Sequence, residues 1–357
     1  MRSLISPRHT GSAFTLVELL VSVGILSLLL LMLASITDAT RRTWTYTTGK
    51  VEEFRDAREA FESITRKLSQ ATLNTYWDYE YPSASGGAPD TTQPPKRYVR
   101  QSELRFISGS AATLTGSSSA STHAVFFQAP LGYVNDTAHF ADLNNLLNTW
   151  GYFIEFASDK GSRPPFLDTL SPAPPERWRF RLMELMEPSE SLTLYDEETA
   201  VGNANYNKTT WFTKPLAASP RPVRVLAENI VALVILPRLP QGEKDASNNP
   251  YNAWDLAQDY SYDSTLTKAD AALNPKNQLP PVVQVTLVAV DEASYGRLQS
   301  HSSGAGLDFS DLFSDASQYE TDVQKLRDRL RDAKLNYCVF TTNVSLKAAK
   351  WSRAQTN

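Results

Sequence analysis

The sequence GSAFTLVELLVSVGILSLLLLMLASI, residues 11–36, contains one acidic residue, Glu18, in an otherwise apolar run. From Phe14 to Ile36 this run is about 23 residues long, and at about 1.5 Å per residue a helix of that length reaches about 35 Å. The hydrocarbon core of a bilayer is about 30 Å thick, so such a helix can span it. A carboxylate inside a bilayer costs about 2.5–3.5 kcal/mol, so Glu18 requires a partner or a function.

Positive charges set the expected orientation of this helix. Arg2 and Arg8 precede it and no acidic residue does, which places the amino terminus in the cytoplasm and everything after Ile36 on the other side. Two ordinary interpretations are an anchoring helix and a secretory signal peptide cut after the small residues that end at Ala39. A signal peptide fits less well, because its apolar region usually has about 7–15 residues and no acid at its start.

The string AFTLVELL, residues 13–20, resembles the type IV prepilin signature, in which a small residue precedes the cleavage site and Phe-Thr-Leu-Val-Glu follows it. The resemblance implies that prepilin peptidase cuts between Ala13 and Phe14 on the cytoplasmic side and methylates the new amino terminus. The family generally has glycine before the cut, where this chain has Ala13, which is also small. The resemblance also implies that Phe14 and Glu18 act in subunit assembly.

The helical pattern continues beyond the apolar run, from Thr37 to about Thr75. Apolar residues recur there at helical spacing, and they are Val51, Phe54, Phe61, Ile64 and Leu68. No proline occurs between Phe14 and Trp77, so the sequence predicts one long helix with a bend near Gly49. The string AREAFESITRKLSQA, residues 57–71, resembles the helix end of minor pseudopilins of the J type in type II secretion. A coiled-coil or signalling stalk is the alternative interpretation.

After Trp77 the pattern changes to strands separated by turn-rich segments. The predicted strands are 98–107, 124–128, 152–156, 178–185, 223–236, 282–290 and 337–346. Strong helix formers predict one further helix, from about Asp308 to Ala333, and a long polar insertion is expected at 237–281. A long helix followed by antiparallel strands with large loops predicts an α+β fold.

Two late strings, PPVVQVTLVAVDEAS at 280–294 and NYCVFTTNVSLK at 336–347, resemble the prepilin-like group called Verru_Chthon cassette protein C. The resemblance implies a pilin-like fold in which the long N-terminal helix packs on an antiparallel β-sheet head with large loops. The expected domains are a prepilin leader (1–13), a transmembrane part of the helix (14–36), its amphipathic continuation (37–76) and a periplasmic β-rich head (77–357).

These resemblances imply a minor pilin-like or pseudopilin-like structural subunit of a type II secretion or type IV pilus-like filament, which is not an enzyme and has no cofactor. Its expected place is the inner membrane, crossed once, with the amino terminus cytoplasmic and the head periplasmic. The implied partners are prepilin peptidase, other pilin-like subunits and the inner membrane. A surface adhesin of the minor-pilin kind and a signal-anchored periplasmic enzyme are the alternatives.

Composition fits an exported, anchored and otherwise soluble protein. The 357 residues are 41% hydrophobic and 21% charged, with a net charge of −4, so nucleic acid is not an expected partner, because no broad basic surface is available to bind it. Cys338 is the single cysteine, which excludes an intrachain disulfide. Its apolar neighbours predict a small buried residue rather than a reactive thiol.

The sequence offers few residues for catalysis or metal binding. The four histidines are His9, His123, His139 and His301, and no two have the spacing of a zinc motif. The acidic segments at 195–200 and 308–320 could bind calcium, but neither has the glycine that an EF-hand loop needs, so solvated loop acids are the preferred interpretation. Asp291 and Glu292 are predicted to cap a strand at the surface.

Two aromatic segments are candidates for a binding surface. NTYWDYEYP at 74–82 and NPYNAWD at 249–255 could contact a partner or a sugar, since tyrosine and tryptophan combine a large apolar ring with a polar group. Local packing beneath a loop is the equally favoured alternative.

Overall fold

The computed structural model of the protein describes residues 16–83, 89–140, 143, 145–161, 163–195, 209–245, 247–301 and 307–353. The chain divides into two compact units, one up to Glu53 and the other from Phe54 onward. The helices in the described residues are α1 (Leu16–Glu53), α2 (Arg55–Leu68), α3 (Ala111–Thr115), α4 (Thr137–Phe140), α5 (Thr210–Ala217), α6 (Glu292–His301) and α7 (Tyr319–Asp332). The strands are β1 (Tyr76–Glu80), β2 (Arg97–Gln101), β3 (Phe106–Ser110), β4 (Ala120–Pro130), β5 (Leu147–Ser158), β6 (Trp178–Glu187), β7 (Val223–Glu228), β8 (Ile230–Arg238), β9 (Tyr262–Asp263), β10 (Val282–Val290) and β11 (Tyr337–Ser345).

The predicted long helix is two helices. Gly49, where we expected a bend, lies inside α1, and the break falls at Phe54. The helical segment also ends at Leu68 rather than near Thr75. The backbone N–H groups of residues 69–71 donate to carbonyls three or four residues earlier, and the Thr72 N–H then donates to the Gln128 carbonyl of β4 at 2.9 Å. The pairing with β4 redirects the chain.

β3 to β7 and β9 form one six-stranded antiparallel sheet in the order β7-β6-β5-β4-β3-β9. In its centre, Glu184 of β6 lies opposite Tyr152 of β5. Gly151 is required beside this pair, because a Cβ there would lie 2.2 Å from the Phe126 ring. The sheet buries apolar side chains along β4, β5 and β6 and forms much of the core.

A second, three-stranded antiparallel sheet has the order β11-β10-β8. The predicted strand 223–236 is therefore wrong as a single strand: β7 belongs to the six-stranded sheet and β8 to this one. The change occurs at Asn229, whose φ of 58° is in the left-handed region, a conformation that asparagine tolerates better than most residues. The predicted strand 98–107 is split in the same way, between β2 and β3.

β1 and β2 form a separate two-stranded antiparallel ribbon in which Tyr79 faces Tyr98 and Trp77 faces Arg100. β1 was not predicted as a strand. Two strands alone have little apolar surface to bury. Four aromatic residues of the ribbon accordingly stay 43–47% exposed: Tyr76, Trp77, Tyr79 and Tyr98.

α2 packs on the strands through one face. Ala57, Ala60, Ile64 and Leu68 are buried at spacings of three and four residues, and Phe61 lies 5.7 Å from Phe340 of β11, between ring centroids. The fold is thus mixed helix and sheet, with a long apolar N-terminal helix and antiparallel sheets, as the predicted α+β class requires.

The predicted C-terminal helix begins later than expected, at Tyr319 rather than near Asp308. The preceding residues fold back on it instead, because the Asp322 carboxylate accepts a hydrogen bond from the Phe313 N–H at 2.9 Å. Asp315 accepts from the Ser317 N–H and caps a 3-10 turn at 316–318. These side-chain bonds compete with a helix over 308–318.

Candidate functional site

α1 contains the one segment of the described residues that is long and apolar enough to cross a membrane, Leu16–Asp38. Its large apolar side chains are 52–81% exposed. An apolar surface of this extent in water favours association with lipid or another chain. It is a candidate membrane span or signal anchor.

The predicted processing residues, Ala13 and Phe14, lie outside the described residues. The third predicted residue, Glu18, lies in the first turn of α1, where a negative charge stabilises the helix dipole. Its backbone carbonyl accepts a hydrogen bond from the Ser22 hydroxyl at 2.6 Å.

Hydroxyl groups in the apolar segment, and Thr40 just beyond it, bond to the helix itself. Each donates to a carbonyl three or four residues earlier, and the donors are Ser22, Ser27, Ser35, Thr37 and Thr40. Because lipid supplies no hydrogen-bond partners, this internal bonding allows the polar side chains to lie in an apolar environment.

In the second unit, five residues form a polar network around a buried carboxylate, which we call the Glu184 cluster: Lys67, Trp150, Tyr152, Glu184 and Arg224. Glu184 is fully buried, and its Oε1 accepts hydrogen bonds from Lys67 Nζ at 2.7 Å, Trp150 Nε1 at 2.7 Å and Tyr152 OH at 2.9 Å. Its Oε2 pairs with the Arg224 guanidinium at 2.6 Å. The Lys67 ammonium also lies 4.4 Å from the centre of the Trp150 ring.

Burial alone would raise the pKa of Glu184, but hydrogen bonds from Lys67, Trp150 and Arg224 outweigh it and hold that pKa below its ordinary value. The carboxylate is therefore ionised at neutral pH. Burial, with the neighbouring carboxylate, raises the pKa of Tyr152 well above its ordinary value, so its hydroxyl remains a donor. The cluster fixes α2, through Lys67, to β5, β6 and β7.

Sequence reasoning missed this cluster. Its signal was an acid in the apolar strand FRLMELM, residues 180–186, because a charged residue is almost never fully buried unless it is paired. The identity of the partner could not be read, since Lys67 lies on a different element far away in the chain.

A second buried contact joins β4 to the edge of β8 that faces away from β10. His123 is fully buried in a bulge of β4, and its Nδ1 accepts a hydrogen bond from the Ile235 N–H at 3.2 Å. Its Nε2 is 3.1 Å from the Phe313 carbonyl, so this nitrogen carries the proton and the ring is neutral. The Leu233 N–H donates to the Thr122 hydroxyl beside it, at 3.1 Å. Burial lowers the pKa of His123 to about 4.

His123 also borders a cavity of about 640 Å³, whose apolar lining includes Phe156, Trp178 and Phe180. A cavity of this size can hold a small molecule. Both imidazole nitrogens are already bonded, so His123 is not available there as a general base.

The acidic segments form local contacts. Asp308 accepts from the Ser310 N–H, and Asp311 pairs with Arg329. In the described part of the chain no group of three His, Cys, Asp or Glu residues could hold a metal ion. Most of the segment at 195–200 lies outside the described residues.

Glu292 is exposed, as predicted, but Asp291 and Cys338 differ from expectation in burial. Asp291 accepts from the Ser294 N–H at the start of α6 but is buried, so it is not the surface cap that we predicted. Glu292 binds Arg179, which is itself buried. Cys338 is half-buried, and burial raises the pKa of its thiol.

The described residues thus provide an apolar helix carrying Glu18 and a head in which the Glu184 cluster holds α2 on the sheet. No protein-family model matches the chain, and no curated protein or solved structure matches it.

Proposed function

We propose that the protein is a minor pilin-like or pseudopilin-like subunit of a type II secretion or type IV pilus-like filament. Prepilin peptidase processes it, and α1 crosses the inner membrane once, with the amino terminus in the cytoplasm and the head in the periplasm. Its partners are other pilin-like subunits.

One observation carries this proposal: the string AFTLVELL runs directly into α1, whose apolar side chains are exposed from Leu16 onward. A cleaved secretory signal would need no such surface after export. A filament subunit needs it twice, first to remain in the membrane and then to pack against the helices of its neighbours.

The assembly step assigns a role to Glu18. Cleavage before Phe14 creates a positive amine four residues from Glu18 along the chain. In the filament, the amine of one subunit pairs with Glu18 of its neighbour, and this attraction offsets the cost of placing either charge among apolar side chains. The pair sets the axial register between subunits, and the apolar side chains supply the packing.

The mature protein should therefore begin at Phe14, with a methylated amine. Intact-mass and N-terminal peptide mass spectrometry of the membrane-extracted protein would show this. Ala13→Gly, which keeps a small residue before the cut, should be processed normally, whereas Ala13→Leu should block cleavage. A chain that begins at Thr40 would contradict the proposal and indicate a secretory signal. An uncut chain in the presence of the peptidase would indicate a simple anchor.

Glu18→Ala should abolish incorporation into the filament and leave membrane insertion and head folding intact. Disulfide cross-linking between single cysteines placed along α1 would measure incorporation, with Cys338→Ser removing the native thiol. Ser22→Ala is the matched control, since Ser22 lies one turn from Glu18 and its hydroxyl bonds only to a backbone carbonyl in the described structure. Wild-type cross-linking by correctly processed Glu18→Ala would exclude the pairing role.

A further inference from the structure

A polar cavity of about 330 Å³ lies beside the two-stranded ribbon. Its lining comes from four segments: 72–75, Arg100 of β2, 277–279 and the region of Ala348 and Lys350. Two of these residues, Arg100 and Lys350, are cations, and none of the described lining residues is a carboxylate. The electrostatic potential in such a cavity attracts an anion.

Arg100 forms no ion pair with any of the described residues. One of its nitrogens donates to the Gln278 side-chain oxygen, and a guanidinium has five N–H donors in all. Burial lowers the pKa of Arg100, and no nearby acid counteracts it. Most arginines on this head do pair with an acid, as Arg97 does with Glu80 on the same ribbon. A half-buried guanidinium without a carboxylate therefore lacks its usual counter-charge.

The cavity continues into an exposed aromatic face. Residues two apart on a strand share a face. Trp77 and Tyr79 on β1 therefore lie on the same side of the ribbon as their partners on β2, Arg100 and Tyr98. The Arg100 guanidinium carbon is 5.5 Å from the Trp77 ring centre. The Tyr79 and Tyr98 rings are 4.7 Å apart, and their hydroxyls lie 3.1 Å apart.

We propose that this face and cavity bind an acidic polysaccharide. An anionic group of one sugar enters the cavity, where Arg100 and Lys350 bind it through charge-assisted hydrogen bonds. The flat apolar faces of adjoining sugar rings pack on Trp77 and on the tyrosine pair, and the tyrosine hydroxyls bond to sugar hydroxyls. The chemistry of the face fits this ligand, since it combines exposed aromatic rings with polar groups, and two cations that form no ion pair with the described residues lie at one end. The site lies on the head, and the proposal does not depend on filament assembly.

Calorimetric titration of the full chain in detergent micelles would test the site. Oligogalacturonate supplies carboxylates, and its methyl ester is a neutral ligand with the same backbone. Dextran sulfate supplies sulfate esters on a different, glucose backbone. The charged polymers should bind, with an affinity that falls as salt is added, because added salt screens the attraction. The tighter binder shows which of these two kinds of acidic polysaccharide the face prefers.

Variants separate the two parts of the site. Arg100→Gln and Lys350→Gln should each weaken binding about tenfold or more, the loss expected for a charge-assisted hydrogen bond. Trp77→Ala should weaken it by a similar factor. Lys350 and Trp77 are exposed, so these two changes leave the fold intact. Arg327→Gln removes one exposed positive charge from α7 and should have no effect.

Three results would overturn the proposal. One is the absence of saturable binding by both charged polymers. Another is equal binding of the methyl ester, which would remove the role of charge. The third is equally tight binding of poly-glutamate, which would assign the face to an acidic peptide instead of a sugar.

Discussion

Glu184→Ala should lower the free energy of unfolding of the head by about 3–5 kcal/mol, the range seen when one partner of a buried ion pair is removed. The change removes the acceptor of the Lys67 ammonium and of the buried Tyr152 hydroxyl, and Trp150 Nε1 keeps only its 3.1 Å bond to Tyr152 OH. Urea unfolding of the full chain in micelles, followed by tryptophan fluorescence, would measure this, because unfolding exposes Trp150, which is buried in the cluster.

A surface ion pair provides the control for this experiment. Asp328 pairs with Arg331 at 2.9 Å on α7, where both side chains are well exposed, and exposed pairs contribute little because water screens them. Asp328→Ala should therefore cost far less than Glu184→Ala. If the two losses were similar, Glu184 would not be the residue that fixes α2 to the sheet. Lys67→Met tests the same link from the helix side.

Mild acid should destabilise the head through His123. Unfolded histidine has a pKa near 6.5, and burial lowers that of His123 to about 4 in the folded state. Between these values the unfolded chain binds a proton that the folded chain does not, so the free energy of unfolding falls as the pH falls. The slope is about 1.4 kcal/mol per pH unit, which amounts to about 3 kcal/mol over the whole window. This contribution to the free energy of unfolding is fully present above pH 6.5 and is lost by about pH 4.

Urea unfolding at several pH values between 5 and 6.5 would measure the slope where most carboxylates do not yet titrate. His123→Gln should be less stable but should show a nearly flat dependence, since it has nothing to protonate. The matched control is His139→Gln, because the His139 side chain is 76% exposed. It should keep the wild-type slope. An unchanged slope in His123→Gln would assign the acid sensitivity to other groups.

The sequence predicted those helices and strands that depend on a pattern within one short stretch of chain. The buried face of α2 follows from apolar residues at helical spacing, and the central strands follow from β-branched and aromatic runs. The ends of these elements depend on distant partners. Thr72 leaves the helix because it bonds to Gln128, and β7 and β8 separate at Asn229 because two different sheets compete for one apolar run.

The buried polar contacts were beyond sequence reasoning for a related reason. Glu184 and His123 are polar residues among apolar neighbours in the sequence, and only the folded chain brings Lys67 to one and the Ile235 N–H to the other. Arg100 shows the opposite case. Glu103 is near it in the sequence, yet the two residues form no ion pair in the described structure.

The order in which the strands occur along the chain has a consequence for synthesis. β8 is buried along almost its whole length, and it is made well before β10, the strand with which it pairs. During translation, IVALVILP at 230–237 is therefore exposed without this partner until Val282–Val290 has been made. Apolar strands that wait for distant partners fold slowly and aggregate readily. We therefore expect the nascent chain to need a holding chaperone until Val282–Val290 has emerged.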